Sequence, residues 1–245
     1  AMDFAYRDRA KYLGDPDFFE VPQELLTSKK YAEEIYQQII KKNFPLKAKV
    51  DILEGEETTH FSILDKWGNA VSNTYTLNTA YGSGIIPTGT GILMNNEMDD
   101  FSSKPGYPNA YGLIGSEANK IESRKTPLSS MSPTIVFRDK RPFLITGSPG
   151  GSTIITSVLQ EILNVLDFDM SLKASSEKKR IHFQHLPDIL FHEHIDESLI
   201  KSIKKEKKTL SRNLGEIHSI LIKKDIVEAY SDKRRPDGKA SAIYE

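Results

Sequence analysis

A threonine hydroxyl is a poor nucleophile until a neighbouring base takes its proton, and the stretch Glu57-Thr58-Thr59-His60 offers one way to supply that base. The α-amine of a threonine can act on its own hydroxyl when that threonine is the first residue of a chain. Such an amine has an unperturbed pKa of about 7.7–8, so a useful fraction is neutral near pH 7. An internal threonine gains it only when the bond before it is cut. Residues 46–57 are polar and acidic, with Glu54, Glu56 and Glu57 close together, and they read as an exposed linker running into a strand that begins at Thr58. A cut could sit at that junction. Strand propensity alone would also place Thr-Thr at a strand start. Alternation puts His60 on the same strand face as Thr58 and invites a hydroxyl–imidazole relay, but the amine already supplies a base, so His60 reads as structural. With no cysteine, thiol catalysis, disulfides and thiolate-bound zinc are excluded, and no ligand cluster stands out among the six histidines.

The elements that must position this chemistry follow from pattern and punctuation. Thr58 to Asp65 and Ala70 to Leu77 read as two strands turning at Gly68-Asn69. Upstream, residues 1–26 form a polar lead-in in which Gly14-Asp15-Pro16-Asp17 argues against one continuous helix, and Ser28 caps a helix over about 29–42. Downstream, Gly82 to about Leu128 is rich in turn formers, and so long an irregular stretch is usually functional. Pro133 to Phe137 and Phe143 to Thr146 form a hairpin turning at Asp139-Lys140. Gly147 to Ser152 is a tight loop ahead of a helix from Thr153 to Leu166. Helix patterns near 171–180 and 196–210 and strands near 217–223 and 226–230 complete a fold of helices layered on antiparallel sheet. Lys201, Lys204, Lys205, Lys207 and Lys208 read as a solvated helix face, since Glu197 and Glu206 are interleaved with them.

The balance of 38% hydrophobic and 27% charged residues is that of a soluble globular chain, and its 245 residues suffice for a substantial core. A formal net charge of −1 gives no field to draw it to nucleic acid or an anionic membrane, and no apolar run approaches a membrane span. The opening Ala1-Met2-Asp3-Phe4-Ala5-Tyr6-Arg7-Asp8-Arg9 is too charged for a signal peptide, so a fragment, or a leader further upstream, is expected.

Several longer motifs, in one order, resemble the gamma-glutamyltransferase family. They are Thr58 to Asp65, Gly68-Asn69-Ala70-Val71, Thr74 to Thr79, Leu93 to Phe101, Pro127 to Thr134 and Gly147 to Ser152. The lead-in Tyr6-Arg7-Asp8-Arg9 with Tyr12 to Pro16 looks like the end of that family's large subunit, so the resemblance spans nearly the whole chain. It implies an α+β fold, the αββα sandwich of N-terminal-nucleophile hydrolases. Residues 1–57 would be the end of the large subunit with its pre-cleavage linker, and 58–245 the small catalytic subunit. It implies autocatalytic cleavage between Glu57 and Thr58, with Thr58 then the nucleophile and Thr76 the hydroxyl that holds it. Gly150 and Gly151 match the oxyanion-hole glycines, whose backbone N–H groups can converge on a tetrahedral oxygen at the head of a helix. A phosphate cradle is the rival reading of that loop, but no lysine follows as a P-loop requires.

The remaining matches concern the donor. Asn78, Glu97 and Asp100 correspond to the positions that hold its α-amine, Ser129 and Ser130 to the pair that binds its α-carboxylate, and Tyr111 to a lid tyrosine of bacterial relatives. The implied activity is transfer of a gamma-glutamyl group from glutathione-like donors to amino acids, peptides or water, without cofactor or metal. The implied partners are that small-molecule substrate and the remainder of the large subunit, with no nucleic acid, in a periplasmic or secreted enzyme. The family also uses a large-subunit arginine whose region has no counterpart in these residues. Two alternatives stand beside this reading: a cephalosporin acylase-type amidohydrolase, against which the amine-binding trio argues, and a catalytically silent fragment needing the missing region.

Overall fold

A computed structural model describes residues 1–41, 58–186, 188–196, 198, 208–224 and 226–243. Three helices come first: α1 (Met2–Tyr12), α2 (Gln23–Leu26) and α3 (Lys29–Ile40). Helix α1 buries Asp3, Phe4 and Tyr6 and stops ahead of Gly14, which is pressed against the backbone of Ala118 with no room for a side chain. Asp15 then accepts the amides of Asp17 and Thr126, pinning the turn to the body of the chain. The expected break in the lead-in is therefore a built corner. Ser28 caps α3 by accepting Tyr31 N at 3.1 Å.

Strands β1 (Thr58–Leu64) and β2 (Ala70–Thr76) pair antiparallel without a break from Thr58↔Thr76 to Leu64↔Ala70. Their turn is made by Asp65, whose carboxylate accepts the amides of Trp67 and Asn69, and by Gly68 at φ 87°. A second sheet has the order β3-β4-β8-β9, from β3 (Thr134–Arg138), β4 (Arg141–Thr146), β8 (His218–Lys223) and β9 (Ile226–Ser231), antiparallel throughout. The β3–β4 turn falls at Asp139-Lys140, both left-handed, as the sequence leads one to expect. Helices α4 (Ile154–Leu166) and α5 (Leu172–Glu177) cover one face, where Phe143, Leu144, Val165, Leu172 and Leu221 form the core. The β1–β2 pair covers the other.

The layer between the two sheets is polar. Ser62 Oγ donates to His218 O at 2.9 Å and Ser72 Oγ to Thr146 O at 2.8 Å. The outward face of β1–β2 carries the apolar side chains instead, with Phe61, Ile63, Val71 and Tyr75 44–63% exposed.

A third, small sheet was not visible in the sequence. It joins β5 (Ile181–His182) antiparallel to β6 (Ile189–His192), and β6 parallel to β7 (Lys208–Ser211). Here one expectation fails: the last residues of the helix expected near 196–210 form β7. Pairing with Ile189–His192 supplies backbone hydrogen bonds that outweigh a local helical pattern. Lys201, Lys204, Lys205 and Lys207, like the linker 46–57 with Glu54, Glu56 and Glu57, lie outside the described residues. No described helix is long and apolar enough to cross a membrane.

Candidate functional site

The β1–β2 register decides the centre of the site. Thr58 opens one strand and Thr76 closes the other, so the two residues face each other at the open end of the hairpin. Thr58 is buried, and its Oγ1 donates to Thr76 Oγ1 at 3.1 Å. Thr76 Oγ1 also accepts Asn78 N at 2.8 Å, which requires the left-handed turn at Asn78, φ 77°. Asn78 Nδ2 in turn donates to Asn96 O at 3.2 Å, tying the hairpin to the long loop.

Thr58, Thr76, Asn78, Glu97, Asp100, Tyr111, Ser129, Ser130 and Gly151 all border one cavity, with Met131 and Ile154 completing its wall. Gly150 sits next to that lining, and Glu57 lies outside the described residues. The acidic corner is a 3₁₀ turn, Glu97–Asp100. Burial and the adjacent Glu97 push the Asp100 carboxyl up to about 7, with Arg9 acting against them, and burial raises Glu97 as well. Two neighbouring carboxyls in a partly dry site resist carrying two charges. Glu97 Oε1 is buried and takes no hydrogen bond from the described residues, so the corner is short of a donor.

Ser129 and Ser130 lie in an irregular run ahead of β3. Ser129 Oγ accepts Met131 N at 3.0 Å, and Ser130 Oγ accepts Arg9 Nη2 at 3.0 Å. Gly150 (φ 130°) and Gly151 (φ 53°) lead into a 3₁₀ turn, Gly151–Thr153, and then α4. Both glycines are required by space as well as backbone. A Cβ on Gly150 would stand 2.7 Å from Thr153 Oγ1, and one on Gly151 would stand 2.6 Å from the Tyr111 ring. Tyr111 lies over Gly151 with its hydroxyl donating to Asn78 O at 2.6 Å, while its own carbonyl accepts Gln184 Nε2 at 3.0 Å.

His60 is packed rather than poised. Its ring bonds Thr74 Oγ1 at 2.8 Å and Ser62 Oγ at 3.2 Å and presses on Gly147. Burial drives its pKa down to about 4, and that of His182 likewise to about 4. In the unfolded chain both protonate near the ordinary 6.5, whereas folded they stay neutral until about pH 4. The stability they contribute is thus full above pH 6.5 and drains away as pH falls towards 4. Thermal unfolding measured across that window is expected to show a falling Tm whose slope is shallower for His60→Gln. Equal slopes would remove His60 from the account.

Sequence reasoning missed Arg9, Met131, Ile154 and Gln184. Arg9 stands inside the motif Tyr6-Arg7-Asp8-Arg9, yet nothing local distinguishes it from Arg7, which is bonded to Asp8 instead. Among the described residues, no group of three or more His, Asp or Glu side chains is placed to hold a metal.

A family model described as gamma-glutamyltranspeptidase matches residues 1–242. The glutathione hydrolase proenzyme of Escherichia coli K12 is 48% identical over 233 residues, covering 92% of this chain and 40% of that protein. The chain spans about two fifths of the length of these curated relatives. Among solved structures, the gamma-glutamyltranspeptidase of Pseudomonas nitroreducens in complex with L-DON superposes with a TM-score of 0.70 at 44% identity. It covers 76% of this chain and 99% of that one. Cephalosporin acylase from Bacillus halodurans superposes at 0.79 with 21% identity, over 99% of this chain and 44% of that one, a likeness of fold.

Proposed function

This chain belongs to the gamma-glutamyltranspeptidase family and has the N-terminal-nucleophile hydrolase fold, and on that footing we propose that it transfers gamma-glutamyl groups through an ester on Thr58. One observation carries the reading: the paired hydroxyls of Thr58 and Thr76 share a cavity with a donor-poor acidic corner and a pair of serines. An amino acid end presents an ammonium and a carboxylate together, and this cavity offers a complement to each.

The first step is cleavage. Thr58 Oγ adds to the Glu57 carbonyl carbon, the Glu57–Thr58 C–N bond breaks, and the acyl group passes to oxygen. Water then hydrolyses the ester, leaving a free carboxylate on Glu57 and a free α-amine on Thr58. In turnover that amine takes the Thr58 hydroxyl proton as Oγ attacks the donor's γ-carbonyl. Backbone N–H groups at Gly150 and Gly151 receive the developing oxyanion, with the positive end of α4 behind them. The leaving amine collects the proton, and an acceptor amine or water then attacks the gamma-glutamyl ester. Thr76 Oγ1 steers the nucleophile. Glu97, Asp100 and Asn78 hold the donor's ammonium, Ser129 and Ser130 its carboxylate, and Tyr111 covers the site.

Under this reading residues 1–57 end the large subunit and 58–245 form the small one. The chain of Pseudomonas nitroreducens supports that division, because the 76% of this chain that it covers is close to the share residues 58–245 make up. The remainder of the large subunit is then the partner, and the family resemblance favours a periplasmic or secreted enzyme.

Two measurements test the donor pocket. Glutaryl-p-nitroanilide lacks the α-amine of gamma-glutamyl-p-nitroanilide, so its kcat/KM is expected to be lower by about a hundredfold or more. Comparable values would sink the ammonium assignment in favour of an acylase. The second is pH dependence. Asp100 gains its charge as pH rises through about 7, so kcat/KM for the cationic donor should rise over that range. Asp100→Asn should lose this limb while keeping any limb due to the Thr58 amine.

A further inference from the structure

Helix α1 would lie upstream of the proposed cut, yet it contributes a side chain to the back of the pocket. Arg9 Nη2 is 3.0 Å from Ser130 Oγ and 3.4 Å from Leu128 O. Arg9 does not border the cavity that Thr58 faces. It lines a small adjoining void together with Asp100, Ser102 and Asn119. It therefore stands behind both Ser130 and Asp100, the two ends of the pocket assigned to the donor's carboxylate and ammonium.

A guanidinium can only donate hydrogen bonds. Ser130 Oγ must therefore accept from Arg9, which leaves its own proton free to be donated into the pocket. The Asp100 carboxyl is faced by Glu97 and Asp99 from its own turn and by Arg9 from α1. Arg9 is faced by Tyr6, whose hydroxyl burial keeps neutral, and by Asp100. Its neighbours on α1 are engaged elsewhere: Arg7 pairs with Asp8, and Asp8 also accepts Tyr31 Oη at 2.8 Å. Because Arg9 acts from outside the pocket, it offsets the acidic corner's charge without competing with a bound ammonium for space.

We propose that Arg9 is a positioning residue for donor binding, aiming the Ser130 hydroxyl proton at the substrate carboxylate and balancing the Asp100 carboxylate that meets the substrate ammonium. This rests on the gamma-glutamyl reading of the same pocket. Arg9 acts through Ser130 and Asp100 from outside the cavity and is not a substitute for an arginine that touches substrate.

The test uses the natural full-length protein, with Arg9→Met to remove the charge and Arg9→Lys to keep the charge but lose the fork. For Arg9→Met, KM for gamma-glutamyl-p-nitroanilide is expected to rise about tenfold at pH 7, with kcat within about twofold and self-cleavage intact. The carboxyl ¹³C signal of Asp100, assigned by its loss in Asp100→Asn, should titrate at higher pH than in the wild type. The KM deficit should narrow near pH 9, where Asp100 is charged in both. Arg9→Lys should restore the titration and recover only part of KM. An unchanged Asp100 midpoint in Arg9→Met, or a loss confined to kcat, overturns the proposal. If Arg9→Met does not fold, a wild-type KM in Arg9→Lys overturns the Ser130 part. An Asp100 midpoint that rises in Arg9→Met as described, in a protein whose wild type turns over no gamma-glutamyl donor, fails the functional reading and leaves the electrostatic role of Arg9 standing.

Discussion

Thr58→Ala is expected to leave the chain whole and the enzyme without turnover, a single substitution abolishing two reactions. Both begin with attack by the same oxygen, first on the Glu57 carbonyl and then on the donor. Removing a nucleophile that works as a unit with its base typically costs about 10⁶ in kcat. Thr58 Oγ1 is held by Thr76 Oγ1 at 3.1 Å, and no other described hydroxyl is hydrogen-bonded to that pair. Thr58→Ser keeps an oxygen and an amine and should still cut, more slowly, since its rotamer is less restrained. Intact-mass measurement reads the first reaction and p-nitroaniline release the second. A folded wild type that stays uncut, or a Thr58→Ala chain that still splits after Glu57, would end the self-processing account.

Gly151→Ala carries the next largest effect. Its backbone sits at φ 53°, and a Cβ there would stand 2.6 Å from the Tyr111 ring. The substitution must either turn the peptide plane that presents the N–H group or displace the tyrosine that covers the site. Loss of one oxyanion donor costs about 10²–10³ in kcat. The two outcomes separate in a double-mutant cycle with Tyr111→Ala. If only the ring is displaced, Gly151→Ala costs little further kcat in the Tyr111→Ala background. If the donor is misaligned, it costs as much there as in the wild type. A Gly151→Ala enzyme with wild-type kcat would take this turn out of the chemistry.

Much of the site was legible because it hangs on one hairpin. The turn at Asp65 to Asn69 is written in the residues that make it, and equal spacing from that turn puts Thr58 opposite Thr76. The motif matches then bring Asn78, Glu97, Asp100, Tyr111, Ser129, Ser130 and Gly151 to one cavity. Other features have no local signature. Strands β5 to β7 are two to four residues long, too short for periodicity, and β6 and β7 pair in parallel across an intervening segment. In sequence Arg9 is one more charge in a polar lead-in, and only tertiary packing sets it behind Ser130. The unusual charge state of Asp100 is likewise a property of burial and neighbours, and residue types alone do not encode it.

Helix α1 buries Phe4 and Tyr6 and bonds Ser152 O through Tyr6 Oη at 2.5 Å, while Arg9 bonds Ser130. In an uncut chain residues 42–57 connect this helix to the rest, and a covalent connection makes the association of the two parts an intramolecular event. Once the bond before Thr58 opens, that connection is gone and the same contacts become an association between two molecules. Mass action then enters a property that was independent of dilution. The melting temperature of the mature protein becomes a function of its concentration where that of the uncut precursor is not. Donor affinity, through Arg9, comes to depend on whether the two pieces remain together.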